Sequence, residues 1–157
     1  MKEIIKKDST VLSKRNKIIE LQEFLLKQDN ENIISNNGNV VRSNRIPLKH
    51  TFADGIYIRE MNMPEDSVVI GAIHKHLHAW FLLSGHITVA TEDTSEEYIA
   101  PYYMVAKSGI KRVIYAQKNS VFVNVHKNPD NIKNLDQLEK DITALSYEEY
   151  KKYVNKN

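Results

Sequence analysis

The sequence predicts a mainly β fold, an antiparallel sandwich or barrel with a helix before it and helices after it. Short apolar segments with two-residue alternation recur about every 8 to 12 residues through the middle of the chain. Turn-forming residues separate these segments, and no helical period lies between them. This pattern favours antiparallel strands over alternating strands and helices.

The predicted strands are rich in β-branched, aliphatic and aromatic residues and end at turns. The clearest turns are at residues 63–66, 84–85 and 107–109. The predicted strands lie at 56–61, within 68–80, at 87–91, within 98–106 with an interruption at Pro101, at 113–116 and at 121–126.

Helical spacing of apolar residues appears at both ends of the chain. Between Lys14 and Gln28 the apolar side chains form a wide stripe, with Lys and Glu between them, which predicts an amphipathic helix. Residues 135–145 have the same character. Ser146 with Glu149 forms a capping box, which predicts a last helical turn or two.

These elements divide the chain into three parts. We predict an N-terminal helical extension over residues 1–45, a β-barrel over residues 46–127 and a C-terminal helical segment over residues 128–157. The first boundary follows an Asn- and Gly-rich connection at residues 36–39, where Asn-Gly favours a tight turn.

Composition limits the chemistry. The 157 residues have a formal net charge of only +2, so nucleic-acid binding over a broad basic surface is not expected. The absence of cysteine excludes disulfides, thiolate nucleophiles and Cys-ligated metal sites. The first residues are charged and no apolar stretch approaches the roughly 20 residues of a membrane span, so we expect a cytoplasmic protein with no membrane partner.

Three histidines alternate within one predicted strand. His74, His76 and His78 occupy every second position, so their side chains share a face with Trp80. Buried neutral imidazoles without partners leave polar nitrogens unsatisfied, and charging them places like charges about 7 Å apart. A divalent metal is the usual group that satisfies such a cluster. A metal-free polar ligand pocket and an exposed or interface cluster are the alternatives.

The rise of a strand limits which histidines can share one ion. At about 3.3 Å per residue, His74 and His78 stand roughly 13 Å apart on a straight strand, too far for one metal at about 2.1 Å from each nitrogen unless the strand bends. The expected pair is His74 with His76 or His76 with His78, and a third ligand comes from a neighbouring strand or a bulge. His76 belongs to both pairs.

This pattern resembles the two metal-binding motifs of the cupin superfamily, whose members are small antiparallel β-barrels of the jelly-roll type. The resemblance covers about residues 50–126. Aligned on Gly85, the family's glutamate position falls on His78, and two further histidines precede it at closer spacing than in the family pattern. In the second motif Gly109 is retained, and Arg112 stands at the place of the family's histidine.

The resemblance implies a divalent ion, Fe, Zn, Mn or Ni, and dioxygenase or isomerase chemistry. An arginine cannot ligate a metal because it has no free lone pair, so His126 or Glu60 is the candidate substitute ligand. Two histidines with a carboxylate would favour Fe(II), whereas three histidines would also admit zinc. Some stretches, such as Val123 to His126, are also similar to small cupin-like proteins of phage and prophage genomes, which would place the protein in a host cytoplasm.

Four residues are candidates for contact with a small-molecule ligand. Arg112 can bind a carboxylate or phosphate if it points into the barrel, and otherwise belongs to an exposed basic pair. Trp80 and Tyr115 can form an aromatic pocket wall, with core or cross-strand packing as the alternative. Glu60 is a ligand or base if its face is interior, and a surface ion-pair partner otherwise. His126 is either a strand-end ligand or a surface histidine.

We therefore predict a metal-binding protein that also binds a small, anionic molecule. The alternative is a non-catalytic, phage-encoded ligand-binding or structural accessory protein. We also predict a homodimer, because an amphipathic flanking helix must cover its apolar stripe. Packing of the helices on their own barrel is the other way to cover it.

Overall fold

The computed structural model describes residues 2–28, 33–36, 39–42 and 46–156, with side chains described for residues 13–28 and 46–156. The helices are α1 (Lys2–Leu26), α2 (Leu135–Ile142) and α3 (Tyr147–Val154). The strands are β1 (Ile33–Asn36), β2 (Asn39–Arg42), β3 (Leu48–Ala53), β4 (Ile56–Met63), β5 (Val68–Ile70), β6 (Ile73–His74), β7 (His78–Ser84), β8 (His86–Ala90), β9 (Ser95–Ile99), β10 (Tyr102–Ala106), β11 (Val113–Ala116), β12 (Ser120–Lys127) and β13 (Thr143–Ala144).

The strands form two large sheets that pack face to face. One has the order β1-β2-β5-β11-β8-β9 and the other β10-β7-β12-β4-β3, and neighbouring strands in both are antiparallel. A main core cluster draws buried side chains from both sheets, among them Met63, Trp80, Leu82, Ile87 and Ile114. The prediction of a mainly antiparallel β fold with helices at both ends is confirmed.

Strand β12 lies between β4 and β7, and its register organises the interior. Phe122 pairs with Met61 and with Leu82, while His126, four residues later, pairs with Tyr57. Because alternate residues of a strand share a face, Phe122 and His126 both point inward, toward opposite ends of the barrel. The same three strands therefore build an apolar end and a polar end.

The segment before the barrel contains strands that the sequence pattern did not predict. Strand β2 pairs antiparallel with β5 and joins β1 to the six-stranded sheet. Residues 37–38 of the predicted turn, and residues 43–45 at the first predicted domain boundary, lie outside the described residues. The three-part division of the chain stays a prediction.

Helix α1 begins at Lys2, well before the predicted start at Lys14. Its buried side chains Ile18 and Leu25 pack with Ile70 of β5, so part of the apolar stripe is covered by the barrel itself. Within the described residues, no helix has the combination of length and apolar character needed to cross a membrane.

The C-terminal segment departs from the prediction at one point that affects the interior. The helix predicted over residues 135–145 ends at Ile142, and Thr143 and Ala144 form β13, which pairs with β6 and sets Thr143 opposite His74. The predicted cap is present, since the Ser146 hydroxyl accepts from the Glu149 amide, and the Glu149 carboxylate accepts from the Leu145 amide. The C-terminal segment thus holds the strand that carries His74.

Candidate metal centre

Three buried histidines converge at the polar end of the barrel. Each of His74, His78 and His126 offers a ring nitrogen, and these three atoms lie within 4.8 Å of one another. The side chains are 6 %, 4 % and 2 % exposed, respectively. The ring centroids of His74 and His78 are 4.1 Å apart, and that of His126 lies 5.0 Å from His74 and 4.7 Å from His78. This group is called the histidine cluster below.

A bend in the chain brings His74 and His78 together. The strand predicted to run through residues 68–80 is broken: β6 ends at His74, a bend follows at Lys75 and His76, and β7 begins at His78. The straight-strand separation of roughly 13 Å is therefore wrong, because it assumed one continuous rise per residue. His126 reaches the cluster from β12, where its neighbour Val125 pairs with Ala79.

His76 lies outside the histidine cluster, so the expectation that it belongs to every ligand pair is wrong in geometry. The reason is the same bend, which removes His76 from the alternation of the flanking strands. The side chain is half-buried, and neither ring nitrogen has a hydrogen-bond partner.

The environment keeps the cluster neutral at physiological pH. Burial lowers the pKa of His126 to about 2 and that of His78 to about 3, and the positive charge of Arg112 contributes to both shifts. Burial, followed by repulsion from a protonated His78, places the pKa of His74 well below its usual value. A neutral imidazole keeps one nitrogen lone pair free, which is the form that binds a metal.

The cluster contains unpaired polar atoms. Nε2 of His74 and both ring nitrogens of His126 are buried without a hydrogen-bond partner. Buried polar atoms are ordinarily satisfied, so a set of three in one place indicates a missing partner. Closely spaced neutral imidazoles are suitable ligands for a first-row divalent metal ion. The residues present therefore fit such an ion.

Arg112 also belongs to the polar end. Of the two orientations considered from the sequence, the interior one is observed: the side chain is buried, and Nη2 lies 3.2 Å from His74 Nδ1 and 3.1 Å from His78 Nε2. Burial lowers its pKa to about 10, with a smaller contribution from Arg59, so the guanidinium stays charged at neutral pH.

A cavity of about 380 Å³ adjoins the cluster, and both His74 and Arg112 line it. Its walls are largely apolar, and its polar lining comes from β3, β4, β12 and α2. These polar residues are His50, Tyr57, Arg59, Asn124, Asp136 and Glu139.

Polar contacts inside the cavity connect the barrel to α2. Arg59 Nη1 lies 3.5 Å from the Glu139 carboxylate, whereas Arg59 Nε is buried without a partner. The Tyr57 hydroxyl lies 2.7 Å from His50 Nδ1. Helix α2 forms this wall because Leu138 and Ile142 pack with Tyr57. The cavity thus presents two guanidinium groups, one of which has an unused donor.

Three of the predicted ligand-contacting residues lie elsewhere. Trp80 is 1 % exposed and packs in the apolar core with Tyr98 and Phe122, away from the cavity lining. The Tyr115 hydroxyl donates to Asp66 at 2.6 Å, on the opposite face of β11 from the cavity-lining Ile114.

Glu60 is on the outer face of β4, where it accepts from the Asn62 amide at 3.2 Å. Its neighbours Tyr57, Arg59 and Met61 face the cavity. The sequence left the face of Glu60 open, because alternation alone does not say which side of a strand is interior.

Several cavity residues were missed by the sequence analysis. The signal for Arg59 was its alternation with Tyr57 and Met61, which predicts a shared face. No local signal could have placed His50 and Glu139 together, because they belong to β3 and α2, which are far apart in the sequence.

Three comparisons with known proteins were made, and two of them found no match. A scan against protein-family models found no match. A search of curated proteins also found none.

Among solved structures, similar ones include a cupin superfamily protein of Desulfitobacterium hafniense, with 10 % identity and a TM-score of 0.49, covering 55 % of this chain and 80 % of that one. A Klebsiella pneumoniae protein with a double-stranded β-helix domain has 14 % identity and a TM-score of 0.48, covering 65 % and 88 %. A cupin 2 conserved barrel domain protein of Leptotrichia buccalis has 10 % identity and a TM-score of 0.49, covering 60 % and 45 %. The cupin superfamily, which the sequence resembles, is thus represented among these structures, and the likeness concerns the fold alone.

Proposed function

We propose that this protein holds one divalent metal ion on His74, His78 and His126 and binds a small, anionic molecule in the adjoining cavity. One observation carries the proposal: three buried, neutral histidines bring ring nitrogens within 4.8 Å of one another, and three ring nitrogens of His74 and His126 have no hydrogen-bond partner. A metal bound by three imidazoles keeps coordination positions open, and it would supply Lewis-acid or, with iron or manganese, redox chemistry there.

The cavity supports the anionic character of the ligand. Arg59 and Arg112 are its cationic side chains, and a guanidinium matches the geometry of a carboxylate or phosphate. The Glu139 carboxylate lies near Arg59, but Arg59 Nε has no partner. The apolar wall accommodates the remaining part of a small organic acid or phosphate ester.

A second candidate function is the binding of an anion without any metal. It is favoured by the contacts of Arg112, which already donates toward two of the three histidines. In that case the protein would be a non-catalytic binding protein, and the neutral cluster would serve only to orient the guanidinium.

Metal content tests the two candidates. The untagged protein is purified without chelator, equilibrated with Zn²⁺, Mn²⁺ or Fe²⁺, freed of unbound ion and analysed for metal, beside His126→Ala and His86→Ala. His86 is a matched control because it lies outside the cluster and pairs with Glu97 at 3.1 Å. We expect about one ion per chain in the wild type and His86→Ala, and at least about tenfold weaker binding in His126→Ala. Equal metal content in all three would contradict the proposed centre.

We further propose that the protein is a homodimer in which the outer face of the five-stranded sheet is covered. Tyr103 and Val105 of the edge strand β10 are 71 % and 64 % exposed, and Leu83 of β7 is 57 % exposed. Tyr103 also stacks on Phe81, which continues the apolar surface. Light scattering should give twice the chain mass for the wild type and for Ile99→Glu, a control on the other sheet, and the chain mass for Tyr103→Glu. A monomeric wild type at micromolar concentration would overturn this part.

A further inference from the structure

We infer that Arg112 and the metal ion compete for the same histidine lone pairs, so that metal binding turns the guanidinium into the cavity and couples metal affinity to anion binding. This inference rests on the proposed function. It concerns Arg112, whose guanidinium contacts two cluster histidines and which also lines the cavity.

The hydrogen bonds identify which nitrogens Arg112 occupies. A guanidinium has only donors, so His74 Nδ1 and His78 Nε2 must both be acceptors. At His78 the other nitrogen, Nδ1, lies 3.4 Å from the His76 carbonyl oxygen, as a protonated Nδ1 would. The single lone pair of neutral His78 is therefore the one that faces Arg112.

The metal and the guanidinium cannot share this space. A metal ion bonds to an imidazole nitrogen at about 2.0 to 2.1 Å, along the direction of the lone pair. Nη2 of Arg112 already lies along those directions at 3.1 Å and 3.2 Å from the two nitrogens. An ion held by His78 Nε2 would thus meet a like charge at less than van der Waals distance, and the guanidinium must leave.

The cavity is the place to which the guanidinium can turn. Arg112 already forms part of its lining, and the rest of the cluster side is filled by buried histidines. Once turned, the charged group joins Arg59 in a largely apolar cavity whose lining carboxylates are Asp136 and Glu139, and Glu139 already pairs with Arg59. An added anion offsets the second guanidinium charge there. An anion in the cavity therefore stabilises the arrangement that the metal requires.

Reciprocity follows from thermodynamic linkage. If the anion raises the affinity for the metal by some factor, the metal raises the affinity for the anion by the same factor. Arg112 is then a positioning residue that lowers the affinity of the centre for the metal until the anion is bound.

The test is the dissociation constant of Zn²⁺, measured by competition with a chromophoric chelator, with sodium sulfate as the anion and with chloride at matched ionic strength. The variants are Arg112→Met and, as a matched control, Arg15→Met, which removes a guanidinium that pairs with Glu92 at 2.6 Å and lies outside the cluster and the cavity lining. Arg112→Gln replaces Arg112→Met if the latter lacks the near-ultraviolet circular dichroism of the wild type.

We expect sulfate to tighten zinc binding to the wild type by about five- to tenfold. Arg112→Met should bind zinc at least about tenfold more tightly than the wild type in chloride, with no further effect of sulfate. Arg15→Met should behave as the wild type in both salts.

Equal or weaker zinc binding by Arg112→Met, or no sulfate effect on the wild type, would overturn the inference and leave the metal centre standing. Absence of zinc binding in both proteins would overturn the metal centre as well. Zinc binding by Arg112→Met alone would support the displacement and refute the metal function of the wild type.

Discussion

The two ends of the barrel are built from the same three strands yet have opposite character. At one end Met61, Leu82 and Phe122 belong to the main apolar core, and Met61 and Phe122 also border the cavity. At the other end lie Tyr57, His78 and His126, and both ring nitrogens of His126 are unpaired. In β12 only four residues separate the two environments. The apolar end accounts for the stability of the fold, and the polar end holds groups that packing alone does not explain.

The largest expected effect is at the apolar end. Leu82→Ala should lower the free energy of unfolding by about 3 to 5 kcal/mol, because Leu82 is fully buried and its loss leaves a cavity between the sheets. Chemical denaturation measures this change. Metal binding per folded chain should stay as in the wild type, and its loss would show that the two ends are not independent.

Replacing a glycine should also cost more stability at the apolar end than at the polar end. Gly85 and Gly109 both have positive φ, of 91° and 76°. A Cβ at Gly85 would lie 2.6 Å from the Ser120 Cα, which is backbone, whereas one at Gly109 would lie 2.5 Å from a Tyr150 ring carbon on α3. Helix α3 has no buried residue and can shift.

We therefore expect Gly85→Ala to cost about 4 kcal/mol or more and Gly109→Ala about 2 to 3 kcal/mol in denaturation experiments. Equal costs would show that α3 is held as rigidly at the polar end as the strands are at the apolar end.

The polar end should make the metal-free protein sensitive to acid. The folded state holds three histidines whose pKa values are lowered, to about 3 for His78 and about 2 for His126, whereas the unfolded chain takes up protons near pH 6.5. The unfolded state therefore binds more protons below pH 6.5, and stability is lost as the pH falls.

Lowering the pH from 7 to 6 in the presence of chelator should reduce the free energy of unfolding by about 2 kcal/mol, shared among the three histidines. Urea titrations at several pH values measure it. A flat profile over this range would contradict the neutral, buried cluster.

The smallest expected effect is a gain in stability. In metal-free protein, His126→Phe should raise the free energy of unfolding by about 1 kcal/mol, because it replaces two unpaired buried nitrogens with an apolar ring of similar shape. It should also remove the contribution of one histidine, about a third, from the pH dependence of the free energy of unfolding. A clear loss of stability would show that another group already satisfies His126.

The class of fold was predictable because it depends on local patterns. Alternation with regular turns predicted β4, β8, β11 and β12, and the capping box predicted the start of α3. Strands β1 and β2 were not predicted in this way; β1 pairs with β2, and β2 pairs with β5, which is distant in the sequence.

The candidate site was predictable only in part. The residue types singled out as chemically active, His74, His78, His126 and Arg112, are those that meet at the polar end. A bend in the chain leaves His76 outside the cluster, and the face of β4 leaves Glu60 outside the cavity lining. The sequence pattern fixed neither the bend nor the face.

The sequence by itself determined the fold class and the chemical groups of this protein. The fold is an antiparallel barrel with flanking helices, and imidazoles and a guanidinium, but no thiol, supply its chemistry. These features are local in the chain, and hydrophobic period and side-chain chemistry express them directly. The tertiary structure alone decided three contacts: β13 pairs with the strand of His74, β12 brings His126 close to His74, and the Arg112 guanidinium contacts the cluster. Such contacts join residues distant in sequence, and only the packing of the whole chain fixes their distances and burial.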